Sequence, residues 1–285
     1  MCDRWHTAGP VCLQRGKWRA VVLTGFGMNP VLLRCQSQPV LREPADLDML
    51  KQSPFLYGMP LLFPPNRTRD GKFAFDGVEY SLPINEPEWR NHLHGQYYDA
   101  PFQVIAQDRC SLTAQYRSIG KRFPFPFVLT IADRLEEEGF FRRIELCNTG
   151  RMDMPVVLGF HTAFAEPDVF SVPIGGRWET DRRYLPTGRI VSLTPEQAAF
   201  RTGCNPHGKK INGFYQSVGG TAQVGDFWYQ VSPEFKQWVL FNGDGNQNFL
   251  CIEPQTGVAN GLNMPGGYIR LAAGESFFAS MSITR

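Results

Sequence analysis

Glycine and proline are so frequent in this chain, 28 and 22 times in 285 residues, that few stretches are left in which a helix of ordinary length could run. Glycine weakens a helix interior and proline breaks it. The segments between these breaks are short and rich in β-branched and aromatic residues, at 19–23, 101–106, 127–132, 142–146, 155–160, 238–241, 249–252 and 276–283. Short apolar runs separated by turn residues predict many antiparallel strands folded into a sandwich or barrel. Asp70-Gly71 and Asp76-Gly77 bracket residues 72–75 and predict a tight hairpin. A second hairpin is expected over 126–147, turning near Glu138-Gly139. Helical periodicity is confined to 45–52 and 194–200, enough for a turn or two each. No low-complexity linker or internal repeat divides the chain, so one domain spanning 1–285 is expected.

Composition narrows the choice of partner. The net charge is +2, with Lys and Arg scattered, which argues against nucleic acid or an anionic membrane. A small uncharged molecule fits this balance. With 42% hydrophobic residues the chain can bury a sizeable core, yet no apolar stretch approaches the ~18 residues of a membrane span. Residues 1–17 lack the apolar centre of a signal peptide. Seven cysteines, odd in number and without a Cys-x-x-Cys pair, predict reduced thiols and a cytoplasmic protein. Without a secretory signal, the glycosylation-like triplet Asn66-Arg67-Thr68 carries no weight.

The chemistry concentrates where polar residues end apolar runs. Three of the five histidines fall in Asn91-His92-Leu93-His94-Gly95 and Gly159-Phe160-His161. Alternation along a strand would turn both His92 and His94 toward one cavity. His-x-His is also half of a cupin-type metal site, but no Glu follows within a few residues, so no metal is assigned. His92 is read as structural; His94 precedes a glycine that would let a ligand approach. His161 ends a run apolar enough to be buried, where desolvation lowers an imidazole's pKa. Glu253 ends another, and Pro254 holds it extended. A buried glutamate is rarely idle, and a carboxylate with an imidazole makes a general base and acid. Arg67 can fork onto hydroxyls or a carboxylate. Trp89, Phe164 and Trp178 are candidates to stack on a sugar face.

In order and spacing these segments resemble the aldose 1-epimerase (galactose mutarotase) family over most of the chain. The motifs are 60–73 with Asn66-Arg67, Asn91–Gly95 with His94, Gly159-Phe160-His161, Tyr184-Leu185-Pro186-Thr187-Gly188, and 249–254 with Glu253. The resemblance implies an all-β fold, a large antiparallel β-supersandwich, with the site in a cleft on one sheet and no cofactor. It implies an isomerase acting on a monosaccharide, as monomer or homodimer. Glu253 would be the base, His161 the acid and His94 a catalytic positioning group; Asn66, Arg67, Asn212 and Trp178 would bind the sugar.

Three departures touch recognition. Asn212 stands where the family usually has Asp, Gln96 follows Gly95 in place of a second Gly, and Thr162-Ala163-Phe164 follows His161 in place of an aromatic and Asn. Two rival functions accompany the main one. An epimerase of a phosphorylated or otherwise modified hexose needs a cationic cluster, for which Arg90, Arg117 and Arg122 are candidates. A non-catalytic sugar-binding module on the same scaffold would have lost the acid–base pair.

Overall fold

Turn chemistry becomes antiparallel pairing in the computed structural model, which describes residues 3–285. Asp76 and Gly77, at φ 50° and 78°, close the hairpin Lys72–Phe75/Val78–Ser81, the left-handed pair that a two-residue turn needs. Asp70-Gly71, also left-handed, links that hairpin to the strand Arg67–Arg69. Pro126–Leu135 and Gly139–Asn148 form the long second hairpin. The two α-helices among the described residues are short: Leu47–Gln52, capped by Asp46, and Pro195–Ala199, capped reciprocally by Thr194 and Gln197. No helix among the described residues is long and apolar enough to cross a membrane.

Two eight-stranded antiparallel sheets dominate. One is centred on Ser111–Ile119, Pro126–Leu135, Gly139–Asn148 and Ser276–Thr284; the other on Ile174–Thr180, Asn212–Ser217, Gln237–Phe241 and Phe249–Gln255. Leu129, Ile131, Ile144 and Leu146 of the first sheet share one buried cluster with Tyr215, Trp238, Leu240, Leu250 and Ile252 of the second. Alternate residues of the second sheet, including Asn212, Phe214, Val239, Phe241 and Glu253, line a cavity on its opposite face. All seven residues of Phe249–Gln255 are buried. That strand therefore shows no inside–outside alternation in its hydropathy.

The run 155–160, expected as one strand, is two. Met154–Val156 pairs with Ile269–Leu271, whereas Gly159–Phe160 pairs with Leu61–Leu62, and Gly159 also with Gln255. The chain changes partners at Val157-Leu158, where Leu158 exchanges hydrogen bonds with Thr256 Oγ1 (2.9 Å) and Thr256 N–H (2.8 Å). Hydrophobicity continues through the break and hides it. Cysteine chemistry also departs from expectation in one place: Cys12 is disulfide-bonded, while Cys35, Cys110, Cys147, Cys204 and Cys251 are free.

Beneath the second sheet lies a fully buried ion pair. Arg142 Nε and Nη2 each donate to Asp133 at 2.7 Å, Nη2 also reaches Met28 O at 2.7 Å, and the guanidinium lies 5.4 Å from the Phe160 ring. Removing one partner strands a buried charge, whereas replacing both with apolar groups does not. Asp133→Asn is expected to lower unfolding free energy by about 3–5 kcal/mol in urea denaturation. The double change Asp133→Leu with Arg142→Met should recover most of that loss; if the two losses simply add, the pair is not coupled.

Candidate active site

His161 and Glu253 come together because their segments share one strand. Ala163–Ala165 pairs with residues 249–251 and Gly159 with Gln255, so His161 lies across from Glu253 on the cavity side. Backbone bonds from His161 N–H to Pro60 O (3.0 Å) and from Ile252 N–H to Thr162 O (3.0 Å) fix the intervening bend. His161 Nε2 stands 3.2 Å from Glu253 Oε1. Gln255, on the same face two residues on, donates from Nε2 to Glu253 Oε2 at 3.3 Å.

Burial governs the electrostatics of this pair. His161 is 5% exposed and Glu253 2%. Desolvation pushes the His161 pKa down to about 3. It pushes the Glu253 carboxyl well above its ordinary range, against the smaller opposing influences of the Gln255 hydrogen bond and the Arg67 charge. Both directions favour one proton held between the two groups, as imidazole with carboxylic acid or as imidazolium with carboxylate. The two arrangements have the same net charge. Moving that proton leaves the charge of the site unchanged.

His94 is positioned by a different device. Asn66 (φ 56°) and His94 (φ 63°) are both left-handed, and they exchange backbone contacts: His94 N–H to Asn66 O at 2.9 Å, and Asn66 N–H to His94 Nδ1 at 3.3 Å. A backbone N–H can only donate, so Nδ1 is the acceptor and the imidazole proton sits on Nε2. Burial holds the His94 pKa well below 6.5 and keeps the ring neutral. Nε2–H is therefore a fixed neutral donor in the cavity that His94 lines. The ring centroids of His94 and His161 are 5.3 Å apart, and Phe55 packs against both at 4.6 and 5.9 Å.

The left-handed turn at His94 also separates it from His92. The strand ends at Leu93, so period-two alternation does not carry through, and His92 is fully buried, with Nδ1 2.7 Å from Pro83 O, instead of lining the cavity. Gly95 serves the backbone, not a ligand: a Cβ there would fall 2.0 Å from Phe63 O, at φ 69°.

Arg67 forks onto Glu86, Nε to Oε2 at 2.9 Å and Nη2 to Oε1 at 2.6 Å, and lies 4.7 Å beneath the ring of Tyr184. Asn91 Nδ2 holds the same carboxylate at 2.8 Å. Arg183 then ties the Tyr184 loop to this group through Trp89 O (2.8 Å), Asp70 Oδ1 (3.0 Å) and Asn91 Oδ1 (3.1 Å).

The resulting cavity encloses about 630 Å³. Of the residues expected at the site, Asn66, Arg67, His94, His161, Asn212 and Glu253 line it. Trp178 does not. It stands on Ile174–Thr180, outside the lining, with Nε1 bound to Gln237 Oε1 at 2.8 Å. Phe164 points into the core against Tyr229 (5.3 Å), whereas Trp89 does line the cavity. Sequence reading missed Phe55, Phe241 and Tyr184 as lining groups and Glu86 as the partner of Arg67. Among 22 Phe and 9 Tyr no spacing marks these residues; the loop motif around Tyr184 was the one signal.

The β-sandwich, with a buried imidazole–carboxylate pair in a sugar-sized cleft on one sheet, has the galactose mutarotase-like fold. The chain matches the family described as Aldose 1-epimerase over residues 13–284 and belongs to that family. A galactose mutarotase-like protein from Clostridium acetobutylicum superposes with a TM-score of 0.88 at 26% identity, covering 96% of this chain and 94% of that one. Galactose 1-epimerase from Lactobacillus acidophilus shares the fold at TM-score 0.80 and 15% identity, over 96% of this chain and 93% of its own. The uncharacterised protein YphB of Escherichia coli is 23% identical over 247 residues, 79% of this chain and 82% of its own.

Glu86→Ala would leave the largely buried Arg67 guanidinium without its carboxylate. We expect a loss of about 1–3 kcal/mol in unfolding free energy. Glu86→Gln, which keeps one acceptor oxygen, should lose less. Equal stability of wild type and Glu86→Ala in urea would show that the fork contributes nothing.

Proposed function

We propose that the protein interconverts the α and β anomers of an unmodified free aldose by general acid–base catalysis. One observation carries this reading: the 3.2 Å contact between His161 Nε2 and Glu253 Oε1 at a cavity wall. Anomerisation needs a proton removed from one oxygen and delivered to another, both bonded to the same carbon. An adjacent carboxylate and imidazolium match that demand.

In the opening step Glu253 carboxylate takes the C1 hydroxyl proton while His161 imidazolium protonates the ring oxygen. The C1–ring-oxygen bond breaks as the C1 carbonyl forms. The pair passes from imidazolium and carboxylate to imidazole and carboxylic acid, with no change in net charge. Rotation about C1–C2 and reversal of both transfers close the ring on the other face. The neutral His94 Nε2–H donates to the sugar and orients the ring oxygen. Arg67, Asn66 and Asn212 hold the remaining hydroxyls. The partner is thus a monosaccharide, and no step requires a cofactor.

The cationic residues favour an unmodified sugar over a phosphorylated one. Arg67 is the one lysine or arginine lining the cavity among the described residues, and Glu86 already neutralises it. Arg122 is bound to Asp99, Arg90 is 81% exposed beside Asp70, and Arg117 lies exposed on the other sheet. A phosphate would enter a cavity with no spare positive charge.

Glu253→Gln should remove about 10²–10⁴ of the rate above background, and His161→Asn a similar factor in turnover with little change in binding. Polarimetry or NMR exchange across a panel of aldoses reads both; full activity in Glu253→Gln would refute the mechanism. The pH profile tests the shared proton. A second proton enters only as the pH nears the low value of His161, about 3, and the shared one leaves only above the ordinary carboxylate value of 4.5. Enzyme rate above background is therefore expected not to decline as the pH falls through 6.5, where a free imidazole titrates. A decline centred near pH 6.5 would mean that His161 titrates alone.

A further inference from the structure

One buried group behind this wall has no part in the proton transfers. Cys251 precedes Glu253 by two residues on the same strand, so the two side chains share a face, and it is opposite Ala163 across the strand from His161. His161, Cys251 and Glu253 each offer one donor atom, all lying within 4.8 Å of one another, and all three residues are buried. We propose that His161, Cys251 and Glu253 form a binding site for a thiophilic divalent cation of the Zn²⁺ type, and that filling it switches the acid–base pair off.

The spacing suits one ion. Zinc bonds of about 2.0–2.1 Å to nitrogen and oxygen put two tetrahedral ligands about 3.3 Å apart, and His161 Nε2 and Glu253 Oε1 already stand 3.2 Å apart. A zinc–sulfur bond of about 2.3 Å needs the thiolate about 3.6 Å from each of them. The present separation is at most 4.8 Å, so filling the site requires the Cys251 side chain to rotate toward the pair. Imidazole, thiolate and carboxylate form a mixed set that selects zinc, cobalt or cadmium over magnesium or calcium. Three protein ligands leave a fourth position for water, as in open zinc sites.

The charge and proton balance is simple. The Cys251 thiol and the His161–Glu253 pair each release a proton to solvent, and Zn²⁺ with one thiolate, one carboxylate and a neutral imidazole is uncharged. The ion then occupies Nε2 and Oε1, the two atoms that exchange protons with the sugar. Its hold is reversible for a structural reason. Glu253 has an outer partner in Gln255, but His161 Nδ1 has none, and a missing outer partner costs about 10–100-fold in affinity. The site reads as an inhibitory one, not the seat of a resident cofactor.

The inhibition rests on the catalytic roles proposed above; the binding does not, and the two are measured separately. Zn²⁺ occupancy is read by competition with a chromophoric chelator, ligation of sulfur by the thiolate-to-cobalt absorption of the Co²⁺-loaded protein, and activity by anomerisation rate. For wild type we expect Zn²⁺ but not Mg²⁺ to bind and to suppress the rate, and Co²⁺ to give the sulfur band. Cys251→Ala should keep its metal-free rate, lose the band, and need at least about tenfold more Zn²⁺ for equal occupancy. Equal Zn²⁺ affinity in the two proteins, equal inhibition by Mg²⁺, or no cobalt–sulfur band in wild type would each overturn the proposal. If Cys251→Ala does not fold, the Zn²⁺/Mg²⁺ contrast and the cobalt spectrum of wild type decide it. Zinc binding through Cys251 in a protein without anomerisation activity would establish the site and refute the proposed reaction.

Discussion

The strand Phe249–Gln255 is the constraint on which the rest of the structure depends, because both its faces are buried for different reasons. Leu250 and Ile252 join the apolar cluster between the sheets, while Glu253 and Gln255 turn toward the cavity side. Burial of the first kind stabilises by removing apolar surface from water. Burial of the second kind is unfavourable in itself and persists only because the first anchors the strand. The register of Gln237–Phe241 on one side and of the His161 segment on the other is set by that anchoring. A slip of one residue would send Glu253 into the core and Ile252 into the cavity.

Desolvation is therefore the means by which the scaffold acts on the chemistry. In water an imidazole and a carboxylic acid would titrate independently and would both be charged over part of the range near pH 5–6. Here the same low-dielectric surroundings push His161 down and Glu253 up, so the two compete for one proton. Burial favours the uncharged arrangement, which is the one reached when the sugar ring opens in the proposed mechanism. His94 follows a related logic by other means. Its tautomer is set by a backbone N–H, which cannot change role, and its neutrality by depth.

How much of this was legible in the sequence depended on whether the controlling interaction was local. The hairpin at Asp76-Gly77 and the short helix within 194–200 are written in adjacent residues, and both form as read. The family resemblance ordered the motifs that line the cavity, and Asn66, His94, His161 and Glu253 do meet there. Local reasoning failed where backbone handedness intervened. His92 and His94 look like strand neighbours until the left-handed residue at 94 ends the alternation. It also failed where partners are distant. Nothing near Arg67 announces Glu86, nineteen positions on, and Trp178, an attractive aromatic on paper, is held by Gln237 outside the lining.

The Arg67 end of the cavity, which binds the sugar in the proposed reading, is built on another physical basis from the His161–Glu253 end. Arg67 is fixed by a bidentate carboxylate below and an aromatic ring above. A guanidinium held this way loses little conformational entropy on meeting a ligand, and with its charge already matched it acts as a rigid hydrogen-bond donor more than as an ion. Asn212 continues the same theme, offering both a donor and an acceptor without charge where the family usually has a carboxylate. Under the proposed function, a cavity that presents neutral or neutralised donors would discriminate among sugars by hydroxyl geometry, because each misplaced hydroxyl leaves a buried polar group unpaired at about 1–3 kcal/mol. In the proposed mechanism the charge needed for chemistry is confined to the His161–Glu253 pair, and it moves there only as a single proton.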